Sequence, residues 1–391
     1  MQRNLIHSQL FLTSNVERSR GLLEGVLGLR LIKRTVYRHN PRLLHYYFGF
    51  GPAAGEPQDP FAFISHVEWD PIFYDLNAET GLTEPADTAD AWSNPRVGDP
   101  RGRWGVGGTH HLALQVADRT GLLKWKRRLT DCGVNVSGPY DRNYFHSIYF
   151  RDWDGALLEI ATTGPGFAHD EEVLGSAHRT APDAVMVGAR SETQIAFETW
   201  PRPVREITPE MELRGFHHVT AVASDNERTA EFFAGTIGLD LIKKTDYMDA
   251  PNATHYYFAG PDPAPGSVLT FFGFPGHEQA RLGIGQPHHF AFGVADDTEL
   301  TSWHQRLEAA GVDSTPIQDF TYYRTFFFRD PDGHICAVAT SPQFTVDEPR
   351  SELGRNLCLP GDLEHRRAEV ELQTALKPAP AAAQAIAAAA R

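Results

Sequence analysis

The same order of apolar and polar positions recurs four times along this chain. A short alternating strand comes first, as in HHLALQV at 110–116, HHVTAVA at 217–223 and HHFAFGV at 288–294. A helix follows, as in TGLLKWKRRLTDCG at 120–133 and NERTAEFFAGTIG at 226–238, closed in both cases by glycine. Three further strands come after it, rich in Tyr, Phe and Ile with turn residues between them, as in YFHSIYFRDWDGALLEIAT at 144–162. The pattern predicts four βαβββ modules, at 5–65, 107–163, 214–274 and 285–341.

Sliding the sequence along itself shows why the pattern repeats. Shifted by 210, residues 7–48 fall on 217–258 without a gap. His7 meets His217, Ser14 meets Ser224, Gly28 meets Gly238, Lys33 meets Lys243, and HYYF at 45–48 meets HYYF at 255–258. A second register, shifted by 178, brings His110-His111 onto His288-His289, Trp125 onto Trp303 and Asp154-Gly155 onto Asp332-Gly333. The two shifts differ because the first half carries about 30 extra residues, a polar insertion mostly in 70–104. The chain is thus a duplicated half: 1–163, a Pro- and charge-rich linker and tail at 164–212, a second half at 213–345, and a C-terminal tail at 346–391. FAHDE at 167–171 recurs loosely as FTVDE at 344–348, and the Ala-rich end reads as disordered.

One βαβββ unit leaves a sheet edge and an apolar face uncovered. Two units side by side make a cupped sheet of eight strands with helices outside it, and four make two cups. The expected fold class is α+β, with two cupped mixed β-sheets.

Composition excludes more than it suggests. Hydrophobic residues are 41% and charged residues 22%, as in an ordinary globular protein. A net charge of -14 and the lack of a basic cluster argue against a nucleic-acid partner. No apolar run approaches bilayer length and no signal sequence opens the chain, so no membrane partner and a cytoplasmic location are expected. Cys132, Cys336 and Cys358 are too few and too scattered for a disulfide framework or a zinc ribbon.

The candidate chemistry lies in the His-His pairs that open modules and in a late-strand acid. Neighbours on a strand point to opposite faces, so one His of each pair looks into a cup and the other packs beside it. The four modules act as controls for one another. At the second position of the pair they carry Ser8, His111, His218 and His289. At the late-strand position modules two, three and four carry Glu159, Thr270 and Ala337. Ala337 shows that the strand does not require an acid there, and a carboxylate inside LLEIA is costly unless a cation meets it. Only modules two and three together supply a full set, His111, Glu159 and His218. One live metal site crossing the halves is expected, and one dead one. Two His and one carboxylate form the facial triad of non-haem Fe(II), with open positions for substrate and O2. The same donors accept Mn(II) or Zn(II). A zinc or nickel isomerase of this architecture would want a second acid at Thr270.

The two stretches HHVTAVASDNERTAEFFAGTIGLDLIKKT and DRNYFHSIYFRDWDGALLEIATTGPGFAHDE resemble the ring-cleaving dioxygenases of the vicinal oxygen chelate superfamily. The resemblance is to the hydroquinone type, which includes 2,6-dichlorohydroquinone 1,2-dioxygenase and methylhydroquinone-linked proteins, with the halves in swapped order. It implies iron ligands at His218, His111 and Glu159, and supporting roles for His217, Thr220, His110, Arg142 and Tyr149. It implies a small aromatic substrate and O2 as partners, with a homo-oligomer left open. His146 is a candidate pocket residue with a surface role as its alternative. Phe145, Phe271 and Phe272 are candidate walls for the ring, or core. Two other functions stay open: a metal-dependent isomerase or lyase of the same fold, and a metal-free protein that sequesters a small molecule.

Overall fold

Strands form where the alternation is strongest, because a pleated chain turns successive side chains to opposite faces and each face here has its own layer to meet. The computed structural model describes residues 5–38, 40–51, 62–69, 101–250 and 252–375. The Ala-rich end and most of the 70–104 insertion lie outside these described residues. Module one supplies β1 (Ile6–Thr13), β2 (Arg30–Tyr37), β3 (Asn40–Gly49) and β4 (Phe63–Glu68). Module two supplies β5 (Thr109–Val116), β6 (Val136–Asp141), β7 (His146–Arg151) and β8 (Leu157–Thr162). The linker adds a short β9 (His178–Arg179). Module three supplies β10 (Phe216–Ala223), β11 (Asp240–Asp246), β12 (Thr254–Ala259) and β13 (Val268–Gly273). Module four supplies β14 (Pro287–Val294), β15 (Gln318–Asp319), β16 (Arg324–Arg329) and β17 (Ile335–Thr340).

The sheets do not follow the halves. Modules two and three share a sheet in the order β6-β7-β8-β5-β10-β13-β12-β11-β9, and modules one and four share β15-β16-β17-β14-β1-β4-β3-β2. The central seam of each sheet is an antiparallel pair of first strands, β5 with β10 and β1 with β14. The registers match: Thr220 lies opposite His111 and His218 opposite Ala113, as Leu10 lies opposite His289 and Ser8 opposite Ala291.

Helices cover the outer faces. Those of modules two and four, Arg119–Asp131 and Asp297–Ala309, start on the aspartate caps Asp118 and Asp296. Each stops at a glycine with positive φ, Gly133 at 78° and Gly311 at 75°. In modules one and three the predicted helix is one α segment (Val16–Arg20, Asn226–Ala230) that widens into a π segment (Gly21–Val26, Glu231–Ile237).

Duplicated residues join the parts. Asp154, in a module-two turn, accepts bonds from the Ser14 hydroxyl (2.6 Å) and backbone N–H (2.9 Å) in module one. Asp332, in module four, does the same for Ser224 in module three, at 2.7 and 2.9 Å. Two reciprocal Ser–Asp links therefore tie one sheet to the other. The matched lysines Lys33 and Lys243 are fully buried, and each is held by a tail: Lys33 by Asp347 and Glu348 at 2.7 and 2.6 Å, Lys243 by Asp170 and Glu171 at 2.8 and 2.6 Å. Among the described residues, no helix is long and apolar enough to cross a membrane. The three cysteines are free thiols.

Candidate metal centre

Strand register builds the centre. Ala113 on β5 is paired with Glu159 on β8 and with His218 on β10. Period-two alternation sends all three side chains to one face, joined by His111 two residues before Ala113. The alanine leaves a gap between the acid and the imidazole, and His111 leans over it. Nε2 of His111 lies 2.8 Å from Oε2 of Glu159, and Nε2 of His218 lies 3.4 Å from the same oxygen. The two Nε2 atoms are 3.4 Å apart. All three residues are buried, Glu159 completely.

Hydrogen bonds beside the centre decide which ring atoms carry protons. His217 Nε2 lies 3.1 Å from the carbonyl oxygen of Thr162, which can only accept, so His217 carries its proton on Nε2. Burial pushes the His217 imidazole down to about 3, so it is neutral and its Nδ1 is a lone pair. That lone pair is 2.8 Å from Nδ1 of His218, so His218 is the donor there and turns a bare Nε2 toward Glu159. His110 and His111 repeat the Nδ1–Nδ1 contact at 2.7 Å, and with the proton on His111 Nδ1 it too presents a bare Nε2. Neither oxygen of Glu159 receives a hydrogen bond among the described residues.

With that proton placement three lone-pair donors converge in a buried place. That arrangement is repulsive by itself and fits a cation. Ligands about 2.0–2.2 Å from one metal ion, at right angles, stand roughly 3 Å apart, as these do. A second group of potential ligands, Asp347, Glu348 and Cys358, surrounds the ammonium of Lys33, which already serves as its cation.

The centre opens on a cleft. A space of about 20 Å³, enough for a water-sized group, is bounded by His111, His218, Tyr149, Phe145, Phe272 and His255, among others. It continues into a cleft of about 740 Å³ that includes His110, Arg142, Tyr149, Arg190 and Asp249. Asn143, with φ at 64°, makes the tight turn in which the N–H of Arg142 bonds the carbonyl of Phe145 at 2.8 Å. Arg142 Nε donates to the Tyr149 hydroxyl at 3.2 Å, and its Nη1 meets Asp249 at 2.8 Å. Burial works against the Arg142 charge, but Tyr149 and Asp249 raise its pKa above the ordinary arginine value. Burial holds the Tyr149 phenol well above its usual range although Arg142 opposes this, so it stays protonated at neutral pH.

Thr220 is buried and bonds Thr270 at 2.8 Å. Phe145 and Phe272 face the cup, but Phe271 does not: it packs on Phe233 and Phe258 toward the helices, since it has the opposite parity to Thr270 and Phe272. His146 also points away and lines a separate surface cleft with Asp141 and Gln194. Sequence reading missed Asp249, Tyr247, Arg190, His255 and Tyr257. For the last two the signal was the HYYF repeat, but its presence in both halves made it look structural.

The cup of modules one and four is filled instead. Leu10, Ala291, Ala337, Phe320 and Phe327 form one apolar cluster there. Phe320 and Phe327 occupy the places of Arg142 and Tyr149 in the 178 register.

Comparison with known proteins agrees with the architecture. The chain is 26% identical over 379 residues to "Putative ring-cleaving dioxygenase MhqA" of Bacillus subtilis (strain 168), covering 97% of this chain and 99% of that one. It is 24% identical to the chlorohydroquinone/hydroquinone 1,2-dioxygenase of Sphingobium indicum, covering 92% of each. Both alignments run over nearly the whole of each chain. A solved structure from Bacillus subtilis subsp. subtilis str. 168, described as a "putative dioxygenase", superposes with a TM-score of 0.68 at 23% identity, over 95% of this chain and 97% of that one. Glyoxalase I from Zea mays superposes at 0.52 with 14% identity, over 86% and 92%, which speaks to the fold alone. The family model described as "Glyoxalase/Bleomycin resistance protein/Dioxygenase superfamily" matches residues 5–160 and 215–338, and the chain belongs to that superfamily.

Proposed function

We propose that this chain is an Fe(II)-dependent dioxygenase that opens the ring of a hydroquinone- or catechol-type aromatic with O2. The observation that carries the reading is the convergence of the Nε2 atoms of His111 and His218 on the Glu159 carboxylate, with one side open to the cleft. Three protein ligands in that pattern leave adjacent positions free. When bound, Fe(II) supplies acidity toward a phenolic oxygen and one-electron chemistry toward O2 at those positions.

The chain's own residues do the rest. Phe145 and Phe272 hold the aromatic ring between apolar faces. The protonated Tyr149 hydroxyl and the Arg142 guanidinium donate to oxygens that become anionic as the ring reacts. Of the two supporting histidines, His217 is committed to Thr162, whereas His110 borders the cleft and is the one to exchange a proton with substrate. Asp249, bonded to both Arg142 and Arg190, fixes the Arg142 fork.

An isomerase of the glyoxalase kind is the less favoured reading. The place of its second acid falls on Thr270, whose hydroxyl is bonded to Thr220 and His255. The test is anaerobic purification, iron loading and an oxygen-electrode assay with hydroquinones and catechols. Uptake of one O2 per ring cleaved is expected. No uptake with any of them would count against the proposal, and oxygen-independent turnover of the methylglyoxal–glutathione adduct would favour the isomerase. Mn(II) suits the same donors, and metal analysis of the active protein decides between them.

A further inference from the structure

Four side chains on the module-three strands form an unbroken hydrogen-bond chain beside the centre. The Tyr257 hydroxyl lies 2.8 Å from His255 Nδ1, His255 Nε2 lies 2.9 Å from Thr270 Oγ1, and Thr270 Oγ1 lies 2.8 Å from Thr220 Oγ1. Thr220 is opposite His111 in the β5–β10 seam and two residues from His218 on the same face. His255 itself borders the small space at the triad.

We infer that this chain has a fixed polarity, running from Tyr257 to Thr220, and that His255 and Thr270 are positioning residues that turn the Thr220 hydroxyl proton into the cup toward a bound anionic oxygen. The inference rests on the dioxygenase reading for the identity of that oxygen. The polarity follows from hydrogen-bond accounting. Tyr257 is buried, and its hydroxyl has one partner among the described residues, His255 Nδ1. If Nδ1 carried the proton, the phenolic O–H would be a buried donor with no acceptor, an arrangement folded proteins avoid. Tyr257 therefore donates to Nδ1, and the neutral ring carries its proton on Nε2. That proton goes to Thr270, whose own proton goes to Thr220. The Thr220 proton is then the only one not used inside the chain.

The duplicated half provides the control. The second cup keeps the His–Tyr pair, with Tyr47 3.1 Å from His45 Nδ1. There Ser65 stands at the place of Thr270 and Leu10 at the place of Thr220, by the shared strand register. His45 Nε2 has no hydrogen-bond partner among the described residues, so the chain stops at the imidazole. The pair belongs to the fold, and its continuation to a hydroxyl in the cup occurs only in the cup that also has His111, Glu159 and His218.

The experiment uses the iron-loaded full chain, its isosteric variant Thr270→Val and the conservative variant Thr270→Ser. The first readout is imidazole ¹⁵N NMR of His255, assigned by difference from His255→Gln. All three proteins should show the proton on Nε2, since the Tyr257 hydroxyl has Nδ1 as its acceptor whatever stands at 270. The second is turnover: Thr270→Val should lose about 10- to 100-fold in kcat, the scale of a lost supporting contact. KM and iron content should be unchanged, with recovery in Thr270→Ser. A wild-type proton on Nδ1, unchanged kcat in Thr270→Val, or iron loss parallel to the kcat loss would overturn the inference. Absence of O2 uptake by wild type would overturn the dioxygenase reading instead, while the NMR result still decides the polarity.

Discussion

The Nε2–H of His217 donates to the carbonyl oxygen of Thr162 at 3.1 Å, and that one bond determines the tautomer of the next residue, His218. A carbonyl on β8 thereby prepares an imidazole on β10 as a lone-pair donor. Removing the ring of His217 frees His218 to place its proton on either nitrogen. His217→Phe should weaken metal binding about 10- to 100-fold, measured by competition with a chromogenic chelator. Undiminished affinity would show that the tautomer is fixed by other means.

Ala113 separates Glu159 from His218 across three adjacent strands. A larger apolar side chain there suits a buried strand but fills the space between the two proposed ligands. Ala113→Leu should abolish metal uptake while circular dichroism and cooperative unfolding persist. The comparable position in the filled cup, Ala291, should tolerate Ala291→Val with metal content unchanged.

Much of this site could be read from the sequence because the repeat carries its own controls. Ser8 and Ala337 mark places where the fold does not need His218 and Glu159, and the strand registers that relate them follow from the two internal shifts. Alternation also contained the correct facing of Phe271, since Thr270 and Phe272 share one parity and Phe271 has the other. The walls of the cleft were not legible. Arg190 comes from the linker and Asp249 from the turn after β11, and they meet at 2.5 Å through loop geometry that no periodicity encodes. His255 was hidden for the opposite reason: its match with His45 made it look like framework, and only the bond from its Nε2 to Thr270, which His45 Nε2 lacks, separates the two.

Acid should loosen the attachment of the first tail. Burial alone would raise the Glu171 carboxyl, but Lys243 and the N–H of Ala177 bring it from 4.5 down to about 2. A carboxyl depressed on folding contributes stability that is complete above its unfolded value and is lost as pH falls toward its folded value. The urea midpoint should therefore fall between pH 5 and pH 3, and the fall should be smaller in Glu171→Gln. An identical pH dependence in the two proteins would show that this buried pair does not couple folding to protons.

The metal content of anaerobically purified wild type and Glu159→Ala tests the central claim most directly. The account predicts one iron per wild-type chain. It predicts almost none in the variant, whose fold should survive because Ala337 already occupies the equivalent strand position. Equal metal in both proteins, or a well-folded wild type that takes up no metal under any loading condition, would contradict it.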